Sequence, residues 1–294
     1  MPAYPEDLER WRRAAEISAG AREAGVRAVR PGARRIDVAE AIEGYIRSRG
    51  AEPAFPANLS RNAEAAHYTP APEDRLAFEV GDLVKVDVGA HLDGAIADTA
   101  ETVEVGEGRR HENLRRAVAE AVAAGIAEVR PGVAVDRISQ AIERAIHQRG
   151  LKPVRNLTGH TIQRYLLHAG KSIPNVSGAS VDHLEEGEIV AIEPFATNGG
   201  GAIENGPFGH IVRFRSDPGT SSEEAARWFG RFRTLPFTAR WIPDVERGAL
   251  KRLRPKLQSY PVFVEEAEGL VAQAEHTVLV GRSGAEVLTE RVGP

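Results

Sequence analysis

Residues 29–50 read VRPGARRIDVAEAIEGYIRSRG, and residues 129–150 read VRPGVAVDRISQAIERAIHQRG, an offset of 100 residues without a gap. The Val-Arg-Pro-Gly start, the Ala-Ile-Glu centre and the Arg-Gly end are identical. After each Pro-Gly turn the apolar residues recur at helical spacing. In the first copy they are Ile36, Val38, Ala41, Ile42, Tyr45 and Ile46. A further amphipathic helix is predicted before each copy, over 5–29 and 109–129, and the copies themselves predict helices over 36–49 and 135–148. Two copies at so long a period do not make a solenoid. They predict two related halves, each pairing helices with the strands that follow. The fold class is therefore α+β, with internal pseudo-two-fold symmetry and a mixed or antiparallel sheet.

Strands are predicted at 83–91, 94–104, 153–155, 161–166, 188–197, 208–214, 261–264, 269–280 and 285–289. Residues 215–258 differ in character, being charged, rich in arginine and helical in pattern. They interrupt a strand-rich half and read as a helical subdomain inserted into a single domain spanning 1–294.

Composition narrows the function. The chain has 294 residues, 42% hydrophobic and 27% charged, as is ordinary for a globular protein. A net charge of −4 is too mild to suggest a nucleic-acid-binding face. There are no cysteines, which excludes disulfides, zinc–thiolate sites and thiol nucleophiles. The sequence has no long apolar run and no signal-peptide core, so a cytoplasmic protein without membrane contact is expected.

Within VKVDVGAHLDGAIADTA (84–100), two aspartates stand in strands that otherwise read as buried. Asp93-Gly94 signals a tight turn. A two-residue turn at 92–93 would pair Asp87 with Asp98, and one at 93–94 would pair Asp98 with Gly89. Both registers put Asp87 and Asp98 on one face, because side chains alternate with period two. Two desolvated carboxylates side by side repel and are costly to bury, and a divalent cation resolves both problems. His160, Glu193 and Glu275 are each a lone ionisable side chain in a later apolar strand. Each alone has a plain alternative as a strand end, a core histidine or an ion-pair partner. The set of five is harder to explain that way and suits two hard or borderline divalent ions. Asp93 belongs to the turn and is left out. His91, His111, His147 and His183 read as surface residues.

With these residues in hand, the chain resembles the methionine aminopeptidases, specifically the type 2 class in its short archaeal form. The family's two metal aspartates are eleven residues apart, as Asp87 and Asp98 are. His160, Glu193 and Glu275 match its other ligands. PAFPANLSRNAEAAHYTP (53–70) resembles the segment carrying a substrate-side histidine, here His67, and GHTIQRYLLHAG (159–170) carries His168. The 215–258 segment matches the helical insertion of type 2 enzymes.

The resemblance implies the pita-bread fold and removal of the initiator methionine from nascent polypeptide N-termini with a small second residue. It implies two divalent metal ions, among Co, Mn, Fe and Zn, with attack by a water or hydroxide shared between them. Asp87 would hold one metal, His160 and Glu193 the other, and Asp98 and Glu275 both. Glu193, or a carboxylate beside it, would shuttle a proton, His168 would stabilise the oxyanion, and His67 would contact the scissile peptide or receive a proton. Phe55, Leu167, His210 and Tyr260 match positions of the methionine pocket. A monomer is expected. Contact of the arginine-rich insertion with the ribosome is the weaker alternative to a plain solvated surface. Two other readings share the fold: an Xaa-Pro peptidase, and an inactive binding scaffold.

Overall fold

The hairpin turns at Asp93-Gly94, and the arrangement of the sheet follows from that register. Leu92 faces Ala95, Gly89 faces Asp98 and Asp87 faces Ala100. Asp93 and Gly94 have φ of 53° and 85°, the turn whose twist matches that of two right-twisted strands. Of the two registers open to the sequence, the 93–94 turn is the one adopted.

The computed structural model describes residues 8–219 and 222–290. Residues 5–7 of the first predicted helix and 220–221 of the insertion lie outside them. The helices are α1 (Leu8–Ala28), α2 (Arg35–Ser48), α3 (Glu112–Glu128), α4 (Val135–Gln148), α5 (Glu223–Phe232) and α6 (Gly248–Leu253). The strands begin with β1 (Glu52–Pro53), β2 (Asn58–Arg61), β3 (Glu64–Ala66), β4 (Leu83–Leu92), β5 (Ala95–Glu104) and β6 (Lys152–Pro153). They continue with β7 (Thr158–Ile162), β8 (Ser172–Pro174), β9 (Ile189–Ile192), β10 (Phe195–Thr197), β11 (Ile203–Asn205) and β12 (Ile211–Phe214). The last are β13 (Phe237–Thr238), β14 (Leu257–Tyr260), β15 (Phe263–Glu265), β16 (Val271–Gln273), β17 (Glu275–Val280) and β18 (Ala285–Val287).

The sequence repeat is a repeat in space. α2 and α4 are each followed by an Arg-Gly end and a two-residue strand, β1 and β6. Each helix buries one stripe: Ile36, Val38, Ile42 and Ile46 in α2, and Val135, Ile138, Ile142 and Ile146 in α4. Val38, Ile42 and Ile46 of the first pack with Val84, Val86, Val88 and Ala90 of β4. The second packs with Val190 and Ile192 of β9 and Val278 and Val280 of β17. Full burial of a Val or Ile side chain stabilises by about 1.5–3 kcal/mol, so each half has its own core.

A nine-stranded sheet joins the halves, in the order β1-β4-β5-β17-β9-β7-β8, with β2 also on β4 and β18 also on β17. Every pairing in it is antiparallel. Alternation assigns its faces. Val84, Val86 and Val88 point at the helices, so Lys85, Asp87 and Gly89 point the other way. On β9, Val190 and Ile192 face the helices, so Ala191 and the residue after the strand, Glu193, do not.

Two predicted strands are each broken in two. The 188–197 run divides into β9 and β10 around Glu193-Pro194, and 269–280 divides into β16 and β17 at Ala274. Proline has no N–H for the ladder, and its carbonyl instead accepts from the Ala274 N–H at 3.3 Å. The sheet is thus creased along one line across two neighbouring strands. The predicted 161–166 strand lies earlier, at β7, because Tyr165 adopts φ 57° and donates its N–H to the Gly94 carbonyl at 2.9 Å.

Residues 215–258 contain α5, α6, β13 and short 3-10 turns, and leave and return through the adjacent strands β12 and β14. Ser222 caps α5, its Oγ accepting from the Ala225 N–H at 3.0 Å. Phe214, Trp228, Phe232, Phe237, Leu253 and Leu257 form a separate apolar cluster there. Among the described residues no helix is long and apolar enough to cross a membrane.

Candidate active site

Five side chains singled out in the sequence come from five consecutive strands or their ends. Asp87 lies on β4, Asp98 on β5, Glu275 at the start of β17, Glu193 just past β9 and His160 on β7. The ladder aligns them: Asp87 and Glu275 both face Ala100, and His160 faces Ala191. Ligand atoms of Asp98, His160 and Glu275 all lie within 4.8 Å of one another. His160 Nε2 is 3.4 Å from Glu193 Oε1 and 3.9 Å from Asp98 Oδ2.

Residues that the sequence reading missed hold these groups. Asn58 Nδ2 donates to Asp87 Oδ2 at 3.2 Å. Gln273 Nε2 donates to Glu193 Oε2 at 3.4 Å and to Glu275 Oε2 at 3.3 Å. The Thr277 hydroxyl accepts from the Asp98 N–H and donates to the Asp98 carbonyl, both at 2.7 Å. Gln273 lies two residues before Glu275, a spacing that puts both on one face only of an unbroken strand, and β16 ends at Gln273. Asn58 carries no periodic signal at all.

The electrostatics are unbalanced. Burial pushes Asp87 up to about 7, opposed by its hydrogen bond from Asn58. Burial, then repulsion from Asp87 and Glu193, holds Asp98 well above the usual carboxylate range. Burial and the neighbouring acids raise Glu193 and Glu275 in the same way. Burial, then His168, lowers His160, so its imidazole is neutral. The His160 Nδ1 is 3.3 Å from the Thr161 carbonyl. An N–H there leaves the Nε2 lone pair facing carboxylates. Asp87 Oδ1, Asp98 Oδ1 and Glu275 Oε1 are buried without a hydrogen-bond partner. Lone pairs turned on one another, with buried oxygens left over, are what a divalent cation would satisfy. The residues present therefore fit a metal.

The acids line a cavity of about 270 Å³, whose walls also include Phe55, Leu167, Tyr260, Ile211 and Phe263. His67 and His168 also line it. The His168 ring is 4.4 Å from that of His160. The His67 ring packs on Tyr260 at 5.3 Å and Phe263 at 4.5 Å. Burial holds both histidines down at about 4, so both are neutral near pH 7. Gly89 makes room for the wall: a Cβ there would lie 2.4 Å from Phe55 Cε1.

His210 is a correction. It is exposed, beside Phe208, and does not line the cavity. Side chains alternate along β12, and Ile211 takes the inward position. His91 and His111 are also corrected, being half-buried, whereas His147 and His183 are exposed. Asp93 stays in its turn, paired with Arg10 at 2.8 Å. A larger cavity, about 660 Å³, lies between α1 and α3 and carries none of the five acid and imidazole groups.

The sequence model of metallopeptidase family M24 matches residues 9–282. The methionine aminopeptidase of Methanocaldococcus jannaschii is 39% identical over 293 residues, covering 97% of this chain and 99% of that protein. The methionine aminopeptidase of Archaeoglobus fulgidus is 44% identical over 271 residues, covering 89% and 91%. The crystal structure of methionine aminopeptidase from Thermotoga maritima superposes with a TM-score of 0.74 at 24% identity, covering 99% of both chains. That likeness gives the pita-bread fold expected from the sequence.

Proposed function

This chain belongs to metallopeptidase family M24 and has the activity its curated relatives are named for, and on that premise we propose a type 2 methionine aminopeptidase acting on nascent chains with a small second residue. The observation that carries this reading is the convergence of five ligand-type side chains, with unpaired buried oxygens, in the lining of a cavity that Phe55, Leu167 and Tyr260 also line. A cavity of about 270 Å³ suits one residue of a peptide, which favours cleavage at a chain end.

A divalent metal belongs to the family, and the reading takes two such ions, drawn from Co, Mn, Fe and Zn. Asp87 would hold one, His160 and Glu193 the other, with Asp98 and Glu275 shared. When bound they supply Lewis acidity, lowering the pKa of water to near neutrality and polarising the scissile carbonyl.

The chain's own groups do the rest. Phe55, Leu167 and Tyr260 enclose the methionine side chain and exclude water. His168, neutral at pH 7, donates an N–H to the substrate carbonyl oxygen as negative charge develops there. His67 contacts the scissile peptide from the Tyr260 side. Glu193 takes a proton from the attacking water and returns it to the leaving amine. Gln273 donates to Glu193 Oε2 at 3.4 Å and fixes the orientation of that carboxylate.

The reading places the enzyme in the cytoplasm as a monomer, with 215–258 a subdomain inserted into one catalytic domain. It assigns the insertion's arginines to structure rather than to a ribosome. Arg227 pairs with Glu246, Arg240 with Glu43, Arg247 with Asp244 and Arg252 with Glu224.

The test uses metal-stripped protein reloaded with Mn or Co and offered Met-Ala-Ser and Ala-Pro-Ala. Metal-dependent release of methionine from the first alone is expected. Cleavage of the Xaa-Pro bond alone would move the protein to the prolidase branch, and cleavage of neither with metal bound would leave a scaffold.

A further inference from the structure

We infer that Asn58 is a substrate-binding residue whose side-chain carbonyl oxygen accepts a hydrogen bond from the free α-amino group of the residue being released. The inference rests on reading the cavity as the site of methionine release.

Asn58 is 4% exposed, lies opposite Asp87 in the β2–β4 ladder and lines the cavity. Chemistry decides which way its amide points. Its Nδ2 donates to Asp87 Oδ2 at 3.2 Å, as an amide beside a metal-ligating carboxylate must. The carbonyl oxygen then points away, and it is buried with no partner. Most buried polar groups are paired, and one that is not calls for a physical account. Cations can relieve the orphaned carboxylate oxygens of Asp87, Asp98 and Glu275. A neutral amide oxygen is a poorer cation ligand than those charged neighbours, and it is well suited to an N–H donor.

Of the groups a peptide end brings to the acids lining the cavity, the α-amino group has donors to spare. It carries two N–H bonds when neutral and three when protonated. The thioether and the carbonyl carry none. An acceptor fixed at this point therefore distinguishes a free N-terminus from a blocked or internal residue, and Asn58 contributes to exopeptidase specificity as well as to holding Asp87.

The experiment is calorimetric and needs no turnover. Manganese-reloaded protein is titrated with L-methionine and with 4-(methylthio)butanoate, the same molecule without the amine. Metal content is measured for each variant. Wild type should bind methionine the more tightly. In Asn58→Ala, compared at saturating manganese, the ratio of the two dissociation constants should fall about tenfold, the loss of one buried hydrogen bond. Asn58→Ser repeats the comparison if the alanine variant does not fold. A ratio unchanged in Asn58→Ala overturns the inference, and a fall in metal content alongside it would assign Asn58 to Asp87 alone. If wild type binds neither compound, the reading of the cavity fails, and the inference with it.

Discussion

The Arg240 guanidinium and the Glu43 carboxylate form a bidentate ion pair, at 2.9 and 2.7 Å, with side chains 3% and 2% exposed. Glu43 comes from α2 and Arg240 from the segment between β12 and β14. The pair is well satisfied. Glu43 also accepts from Trp241 Nε1 at 2.6 Å and the Ala57 N–H at 3.3 Å. Arg240 also donates to the Pro70 carbonyl at 2.9 Å and Thr69 Oγ1 at 3.1 Å. Ala57 directly precedes Asn58 on β2 and Thr69 lies two residues past His67, which follows β3, so this clasp ties the 215–258 segment to one wall of the cavity.

Removing one partner leaves a buried charge uncompensated. Arg240→Ala should cost about 3–5 kcal/mol, whereas replacing both partners with apolar residues of similar volume should cost much less. Urea denaturation of the single and double variants checks this. A single variant as stable as wild type would mean that the charge is not buried in solution.

Asp98 carries an unpaired buried oxygen and lies within reach of both His160 and Glu275. Asp98→Asn removes its charge but keeps its shape, and should severely reduce both bound metal and activity. Elemental analysis of the dialysed variant is the check. Unchanged metal content would count against its assignment as a shared ligand.

His91 gives the stability a pH dependence of known sign. Burial pushes it down to about 4, below the ~6.5 of an unfolded chain. Its Nδ1 accepts the Gly94 N–H at 3.2 Å, which requires that nitrogen to be unprotonated. The unfolded chain therefore binds this proton first as pH falls. The contribution is fully present above about 6.5 and is lost between there and about 4, by up to ~1.4 kcal/mol per pH unit. His91→Gln should flatten the stability curve in that window by as much as one proton. Identical slopes for the two proteins would remove His91 from the account.

A methyl group at Gly89 would meet the Phe55 ring at 2.4 Å. Phe55 must then move, and the cavity wall moves with it. Gly89→Ala should weaken binding of methionine roughly tenfold or more, the scale on which a close misfit is felt in a packed site, while metal content stays the same. Calorimetry with methionine decides it, and an unchanged affinity would take Phe55 out of the wall.

The parts of this protein legible in its sequence are those with a local signal. A helix that buries one face repeats every 3.6 residues, so both helix pairs and their 100-residue repeat could be read directly. A charge in an apolar strand is conspicuous wherever it sits, so Asp87, Asp98, His160, Glu193 and Glu275 could be picked out one by one. Period-two alternation put the two aspartates on one face in either register. It could not choose between the registers. The tertiary structure made that choice and creased two predicted strands at Pro194 and Ala274. It also set Ile211, and not His210, into the cavity. The same is true of Asn58, Gln273, Thr277 and the Arg240–Glu43 clasp. These depend on contacts between residues far apart in the chain, made by polar side chains that leave no periodic trace. Periodicity is a property of one segment, whereas the satisfaction of a buried polar group is a property of the whole fold.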